Sequence, residues 1–259
     1  MSSSGRVHVG CSGWHYADWT GRVYDPSLAR SEWLQAYTTR FDTVELNNSF
    51  YRLPEAAQFR RWRESVPPDF IFAVKASRYL THIKRLRDPE EPLARLLDRA
   101  RHLGSRLGPL LYQLPPRWVP DMDRLARFLG ALPRSVGRDR RPLQHVVEFR
   151  DPRGYHDDVL TLLRDADVSL CLHDMPESAS PWVTTGPIVY VRLHGFGTRY
   201  GGHYSAAALA RWADWLARVR DDGRDLYVYF NNDREAHAVF NAGELRALLN
   251  VPAPFSAEC

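Results

Sequence analysis

Short apolar runs alternate with amphipathic stretches along almost the whole chain. Val7–Gly10, Thr43–Leu46, Phe70–Lys75, Leu110–Leu114, His145–Phe149, Val168–His173, Ile188–His194 and Leu226–Phe230 are short, apolar and bounded by polar loops, so they read as strands. Between most of them apolar residues recur at three-to-four spacing, which predicts helices over Arg30–Arg40, Ala56–Ser65, Pro92–Leu103, Met122–Leu129, Asp158–Asp165, Ser205–Arg220 and Arg234–Leu249. The stretch from Asp174 to Pro187 is too short and too rich in Pro and Ser for a helix and reads as an irregular connection. Parallel strands need crossover connections, so eight strands alternating with about seven helices predict a parallel sheet. In 259 residues that count fits one closed (β/α)8 barrel of the TIM type, an α/β domain covering residues 1–259 with a flexible lead at 1–5. An open doubly wound sheet is the alternative, but no G-x-G-x-x-G turn supports it.

Period-two alternation then sorts the strand residues into two faces. Val189, Val191 and Leu193 form one face of the seventh strand, leaving Tyr190, Arg192 and His194 for the barrel interior. The same division turns Glu45 and Asn47, Lys75 and Ser77, Gln113, Glu148 and Arg150, Cys171 and His173, and Tyr229 and Asn231 inward. On the first strand it leaves His8, Gly10 and Ser12. These polar residues gather at the C-terminal ends of their strands, where barrel enzymes carry their active sites. Buried polar groups are costly unless paired. The ring is therefore either a ligand site or a self-satisfied network, with Lys75 and Arg192 facing Glu45 and Glu148.

Composition narrows the setting. A chain this long buries roughly 73% of its unfolded surface, so neither disulfide nor structural metal is needed. Cys11, Cys171 and Cys259 are odd in number and widely spread. The opening MSSSGRVHVG lacks the pattern of a signal peptide, and no stretch approaches about 18 apolar residues. A cytoplasmic protein without membrane contact is expected. The net charge of +4 is too small to argue for duplex binding. Of the 35 basic residues all are arginine except Lys75 and Lys84, so arginine is background here and Lys75 stands out.

The loops that follow the strands add Trp14, Tyr51, Arg52 and Tyr200 together with the glycine-flanked segment Gly195–Gly202. Flat rings beside cations suit a ligand with a ring and anionic groups, as in nucleotide, sugar-phosphate or single-stranded nucleic-acid sites. The expected roles follow from residue chemistry. Arg192, Lys75 and His194 would hold anionic groups, and Glu45 and Glu148 would orient or activate the reacting group. Gln113, Asn47, Arg150, Asn231 and Asn232 would add hydrogen bonds, and Trp14, Tyr51 and Tyr200 would stack on a ring. Should the protein be an enzyme, phosphoester hydrolysis is the first expectation, with Glu45, Lys75, Glu148 and His194 as its catalytic residues. A carbohydrate-active or lyase-type enzyme and a non-catalytic ligand- or RNA-binding barrel are the alternatives. No cofactor is expected. A divalent metal on Glu45, Glu148, His173, Asp174 and His194 is the competing arrangement, against which stand Lys75 and Arg192 in the same ring. Lysine chemistry at Lys75 would need a carbonyl substrate and a desolvated amine.

The segments GCSGWHYADW, FDTVELNNSFYRLP, FAVKASRYLTH, LGPLLYQLPP, VEFRD, YVRLHG and YVYFNND, in this order from Gly10 to Asp233, resemble the YecE-like family known as domain of unknown function 72. The resemblance implies a (β/α)8 barrel, broadly similar to those of endonuclease IV and xylose isomerase relatives, which bind metals at the C-terminal face. It implies no activity, since none is established for the family. Its matching positions include Glu45, Asn47, Phe50, Tyr51, Lys75, Gln113, Glu148, Arg150, Arg192, His194, Asn231 and Asn232. After the fifth strand this chain departs from its relatives, reading FRDPRGY, which leaves Asp151–Tyr155 without an implied role.

Overall fold

The computed structural model describes residues 4–137, 139–252 and 254. Its eight main strands are β1 (Val7–Cys11), β2 (Thr43–Leu46), β3 (Ile71–Lys75), β4 (Leu107–Gln113), β5 (His145–Glu148), β6 (Ser169–Met175), β7 (Ile188–Leu193) and β8 (Asp225–Phe230). Each pairs in parallel with the next, β8 pairs with β1, and β6 with β7, so the sheet closes on itself. Helices lie between strands: α1 (Trp33–Thr38), α2 (Asn48–Tyr51), α3 (Ala56–Glu64), α4 (Glu90–Ala100), α5 (Met122–Ala131), α6 (Asp157–Asp165), α7 (Ala206–Asp221) and α8 (His237–Leu248). The expected barrel is present. No helix among the described residues is long and apolar enough to cross a membrane.

The alternation read from the sequence is the physical division of the core. Val9, Val44, Val74, Val147, Val191 and Val228 join the helix faces in one large apolar layer outside the barrel. Ala73, Leu111, Val146, Cys171, Ile188, Tyr190, Tyr227 and Tyr229 form a separate cluster that fills the inside. Above that plug most of the polar inward residues gather at the C-terminal mouth, whereas His8 lies below it, 2.7 Å from Asp42. β1 and β2 approach so closely that a Cβ on Gly10 would meet the Thr43 carbonyl oxygen at 2.3 Å, which reserves that position for glycine.

The structure also corrects several boundaries. The helix expected over Arg30–Arg40 opens as a 3-10 turn at Arg30–Glu32, and α4 passes into another at Arg101–Arg106. The helix expected from Arg234 is broken by left-handed backbone at Glu235 and Ala236, so α8 begins at His237. The connection Asp174–Pro187 is irregular as expected, except that Ser178–Ala179 folds back antiparallel on β6. A hairpin of Ser135–Val136 with Arg141–Pro142 and a π turn at Tyr79–Ile83 are too short to leave a periodic signal. In the lead, residues 1–3 lie outside the described residues. Gly5 is already anchored, its N–H donating to the Arg220 carbonyl at 3.0 Å. Cys259 also lies outside the described residues.

Candidate functional site

Two carboxylates and two guanidiniums occupy the interior just above the apolar plug. Glu45 accepts from Arg192 Nη2 at 2.9 Å and Nε at 3.2 Å, from Ser12 Oγ at 2.8 Å and from Tyr190 OH at 2.7 Å. Arg192 donates its other terminal nitrogen to Glu148 Oε2 at 2.9 Å. The second oxygen of Glu148 accepts from Arg150 Nε. Burial alone would raise the Glu148 carboxyl, but Arg150 and Arg192 outweigh it and hold the group well below the usual range. Arg192 is 1% exposed and has both flanks committed. The charges of the four groups cancel.

His194 completes the chain of contacts. Arg150 Nη2 lies 2.8 Å from His194 Nε2, and the Asn231 amide lies 3.0 Å from Nδ1. A guanidinium can only donate, so Nε2 accepts and the single ring proton sits on Nδ1, against which the Asn231 amide must turn its oxygen. Burial, reinforced by Arg192 and Arg150, keeps the imidazole neutral far below its usual range. His194 therefore offers no lone pair that Arg150 does not already occupy.

Lys75 is different. The expected pairing with glutamate holds for Arg192 and not for Lys75, whose Nζ makes no ion pair or hydrogen bond among the described residues. It lies instead 4.2 Å from the centre of the Phe50 ring. Burial, then the positive charge of Arg192, pushes the amine down to about 7. The neighbouring His82 packs edge-on against Phe50 at 4.9 Å, and burial pushes it down to about 4.

Several expected site residues sit elsewhere or serve the scaffold. Asn232 donates to the Gly202 carbonyl at 2.8 Å and to Asn241 Oδ1 at 3.0 Å, outside the polar ring. Gln113 donates to the Leu114 carbonyl at 2.8 Å. Asp174 turns to the helix side, where with Trp182, Arg211 and Trp212 it lines a cavity of about 160 Å³. His173 faces inward and contacts Ser178 Oγ through Nε2 at 3.0 Å. The metal arrangement does not fit: among the described residues no three His, Cys, Asp or Glu side chains come together as a ligand set. Glu148 and His194 are both held by Arg150, and Asp174 faces away. In the Gly195–Gly202 loop the N–H groups of Gly195, Tyr200 and Gly201 donate to Tyr204 OH, the His194 carbonyl and the Thr198 carbonyl, which ties the loop back on itself. In the divergent segment, Asp151 caps a 3-10 turn over Pro152–Tyr155 by accepting from Arg153 N at 3.1 Å, and Tyr155 OH donates to the Phe149 carbonyl at 2.9 Å.

Beside the ring, between the loops after β1 and β2 and helix α3, opens a cleft of about 940 Å³. Ser12, Glu45 and Asn47 line its inner end, and Trp14, Tyr16 and Tyr51 add rings. Tyr51 is 80% exposed, while Trp14 is nearly buried against Trp62. Arg30, Arg52 and Arg61 also line the cleft, and none of them makes an ion pair among the described residues. Tyr200 stands on the far side of the mouth, 48% exposed and edge-on to His194. The sequence reading missed Arg30 and Arg61, which lie outside the strand ends and are two arginines among many. It also passed over Asp233, whose carboxyl burial pushes up to about 8 beside Tyr16. Neither had a local signal.

A closed barrel with its polar residues gathered at the C-terminal face places the chain among the (β/α)8-barrel proteins. Within that class it belongs to the family described as protein of unknown function DUF72, whose pattern matches residues 8–257. It is similar to the UPF0759 protein YunF of Bacillus subtilis, 25% identical with 95% of each chain covered. It is also similar to the UPF0759 protein YecE of Escherichia coli, 30% identical over 57% of this chain and 49% of that protein. Among solved structures, a DUF72 family protein (TM1631) of Thermotoga maritima superposes with a TM-score of 0.83 at 28% identity, covering 95% of this chain and 99% of that one.

Proposed function

We propose that this protein binds a phosphate-bearing, ring-containing small molecule, such as a nucleotide or sugar phosphate, in the cleft beside the barrel mouth. One contrast carries the reading. The interior guanidiniums of Arg150 and Arg192 are paired with carboxylates, whereas Arg30, Arg52 and Arg61 line the cleft without a counter-charge. Such guanidiniums suit bidentate contact with phosphate, and Tyr51 and Trp14 supply ring faces beside them. The anion-holding role expected of Arg192 passes to these three, because Arg192 is already spent. Hydrolysis gains nothing from the geometry, since both carboxylates are occupied and no metal ligand set forms among the described residues.

A thermal-shift series tests the reading. At a ligand concentration of about 100 Kd, binding stabilises by about 2.7 kcal/mol, roughly 5–10 °C for a chain of this size. Nucleotides or sugar phosphates are expected to produce such a shift. The double variant R52A/R61A should abolish it, while its own melting temperature changes little because both side chains are near the surface. Stabilisation by neutral sugars with no response to any phosphate would overturn the proposal.

A further inference from the structure

We infer that Lys75 is a nucleophilic amine that forms a Schiff base with a phosphorylated aldehyde or ketone held in the cleft; the phosphate requirement rests on the binding reading above. The ordinary fate of a buried lysine is a carboxylate partner. Here Arg192 takes both glutamates, and Nζ is left over the face of Phe50. Nζ is also absent from the polar atoms that are sealed from solvent without a partner. Its residue is 8% exposed, so the amine is largely desolvated without being sealed off.

Register places Lys75 next to the inner end of the cleft, although it is not itself part of the cleft wall. Glu45 pairs with Ala73 across β2 and β3. Lys75 therefore stands one pleat above Glu45, level with Asn47, which lines the cleft. The charged and titratable groups around the amine are Arg192, Glu148, Glu45, Arg150 and His82. With the glutamates neutralised by the arginines and His82 uncharged, the local balance disfavours a further cation. The amine, pushed down to about 7, therefore gives up its proton far more readily than an ordinary lysine, and only the unprotonated amine attacks a carbonyl.

The step balances without an oxidant or reductant. The Nζ lone pair forms a bond to the carbonyl carbon while the C=O π pair moves to oxygen. That oxygen takes one proton from nitrogen and one from solvent and leaves as water. The product is a protonated imine joining Lys75 to the former carbonyl carbon.

The test uses pyridoxal 5′-phosphate, which unites ring, aldehyde and phosphate, and pyridoxal, which lacks the phosphate. Each is incubated with the full chain, the imine is reduced with borohydride, and labelled peptides are mapped by mass spectrometry. The chain contains one other lysine, Lys84, held by Asp88 at 3.2 Å, and the α-amino group is read in its own peptide. Pyridoxal phosphate is expected to label Lys75 at least tenfold more than Lys84. Labelling should be half-maximal near pH 7, against about 10 for an ordinary lysine. Equal labelling of Lys75 by both aldehydes would keep the nucleophile and remove the phosphate site. Phosphate ligands that stabilise the protein while Lys75 stays unlabelled would overturn the nucleophile and leave the binding reading standing. Labelling that does not distinguish Lys75 from Lys84, or that rises only near pH 10, would overturn it too.

Discussion

Replacing Arg192 with alanine is expected to destabilise the protein by about 3–5 kcal/mol, the cost of leaving buried carboxylates without their counter-charge. For a chain of this length that is a fall in melting temperature of roughly 6–20 °C. Among the described residues Arg192 is the one direct link between the two halves of the network, bonding Glu45 on β2 and Glu148 on β5 from across the barrel. Its loss strands Glu45 altogether, because the remaining partners, Ser12 and Tyr190, bring no charge. Glu148 keeps Arg150. The pH dependence checks the cause. A carboxylate held low by cations contributes stability above the unfolded pKa of about 4.3 and loses it as pH falls through the folded value. The variant lacks the share of that contribution that Arg192 gives Glu148, so its deficit should be full at neutral pH and narrow progressively below about pH 4, as falling pH takes the same contribution from the wild type. The double replacement E45Q/E148Q on the R192A background should recover part of the loss at neutral pH. Denaturant unfolding of the wild type and the two variants at pH 7 and pH 3 would decide. A deficit below about 1 kcal/mol, or one independent of pH, would show that the network is not what holds the upper barrel together.

The sequence carried the barrel because its two faces differ chemically at every second residue. Val189, Val191 and Leu193 against Tyr190, Arg192 and His194 is a pattern that only a two-sided sheet explains. Inward residues such as Glu45, Glu148 and Lys75 could be placed on the same ring by that rule alone. Which of them pair could not. Pairing depends on side-chain reach across the barrel, and strand alternation is silent about the partner on the opposite wall. Hence Lys75 and Arg192 read as equivalent cations in the sequence, while in space one has two carboxylates and the other an aromatic ring. Asn232 shows the complementary limit. It follows Asn231 by one residue, just past the end of β8, where alternation sends it outward to Gly202 and Asn241. The motif match had grouped the two together. The cleft arginines were illegible for another reason: Arg30 sits in a 3-10 turn before β2 and Arg61 on α3 after it, neither at a strand end, and only the folding of the loops after β1 and β2 joins them to Arg52.

Lys75→Met is expected to raise stability, which is uncommon for a buried substitution. The native amine titrates near 7 and the unfolded one near 10.4. Between those values the unfolded chain binds a proton that the native chain does not, so wild-type stability rises with pH across that window. Below about pH 7 the native protein bears the full cost of a buried, unpaired ammonium. The shift corresponds to about 4–5 kcal/mol at most, of which the Phe50 ring returns about 1–2. A gain of about 2–4 kcal/mol, or roughly 4–16 °C, is therefore expected for methionine at pH 6.5. Methionine has a similar length and keeps a favourable sulfur contact with the ring. The gain should shrink as pH rises from about 7 and reach zero only above about 10.4, where neither state of the wild type is protonated, so that at pH 9.5 it should be well under half its size at pH 6.5. Denaturant unfolding at pH 6.5 and 9.5 measures both values. A less stable variant at pH 6.5 would mean that the lysine is structurally paired in solution. The expected outcome would mean that a stabilising exchange is available and that Lys75 is an unfavourable residue to keep for packing alone, as expected for a group placed to react.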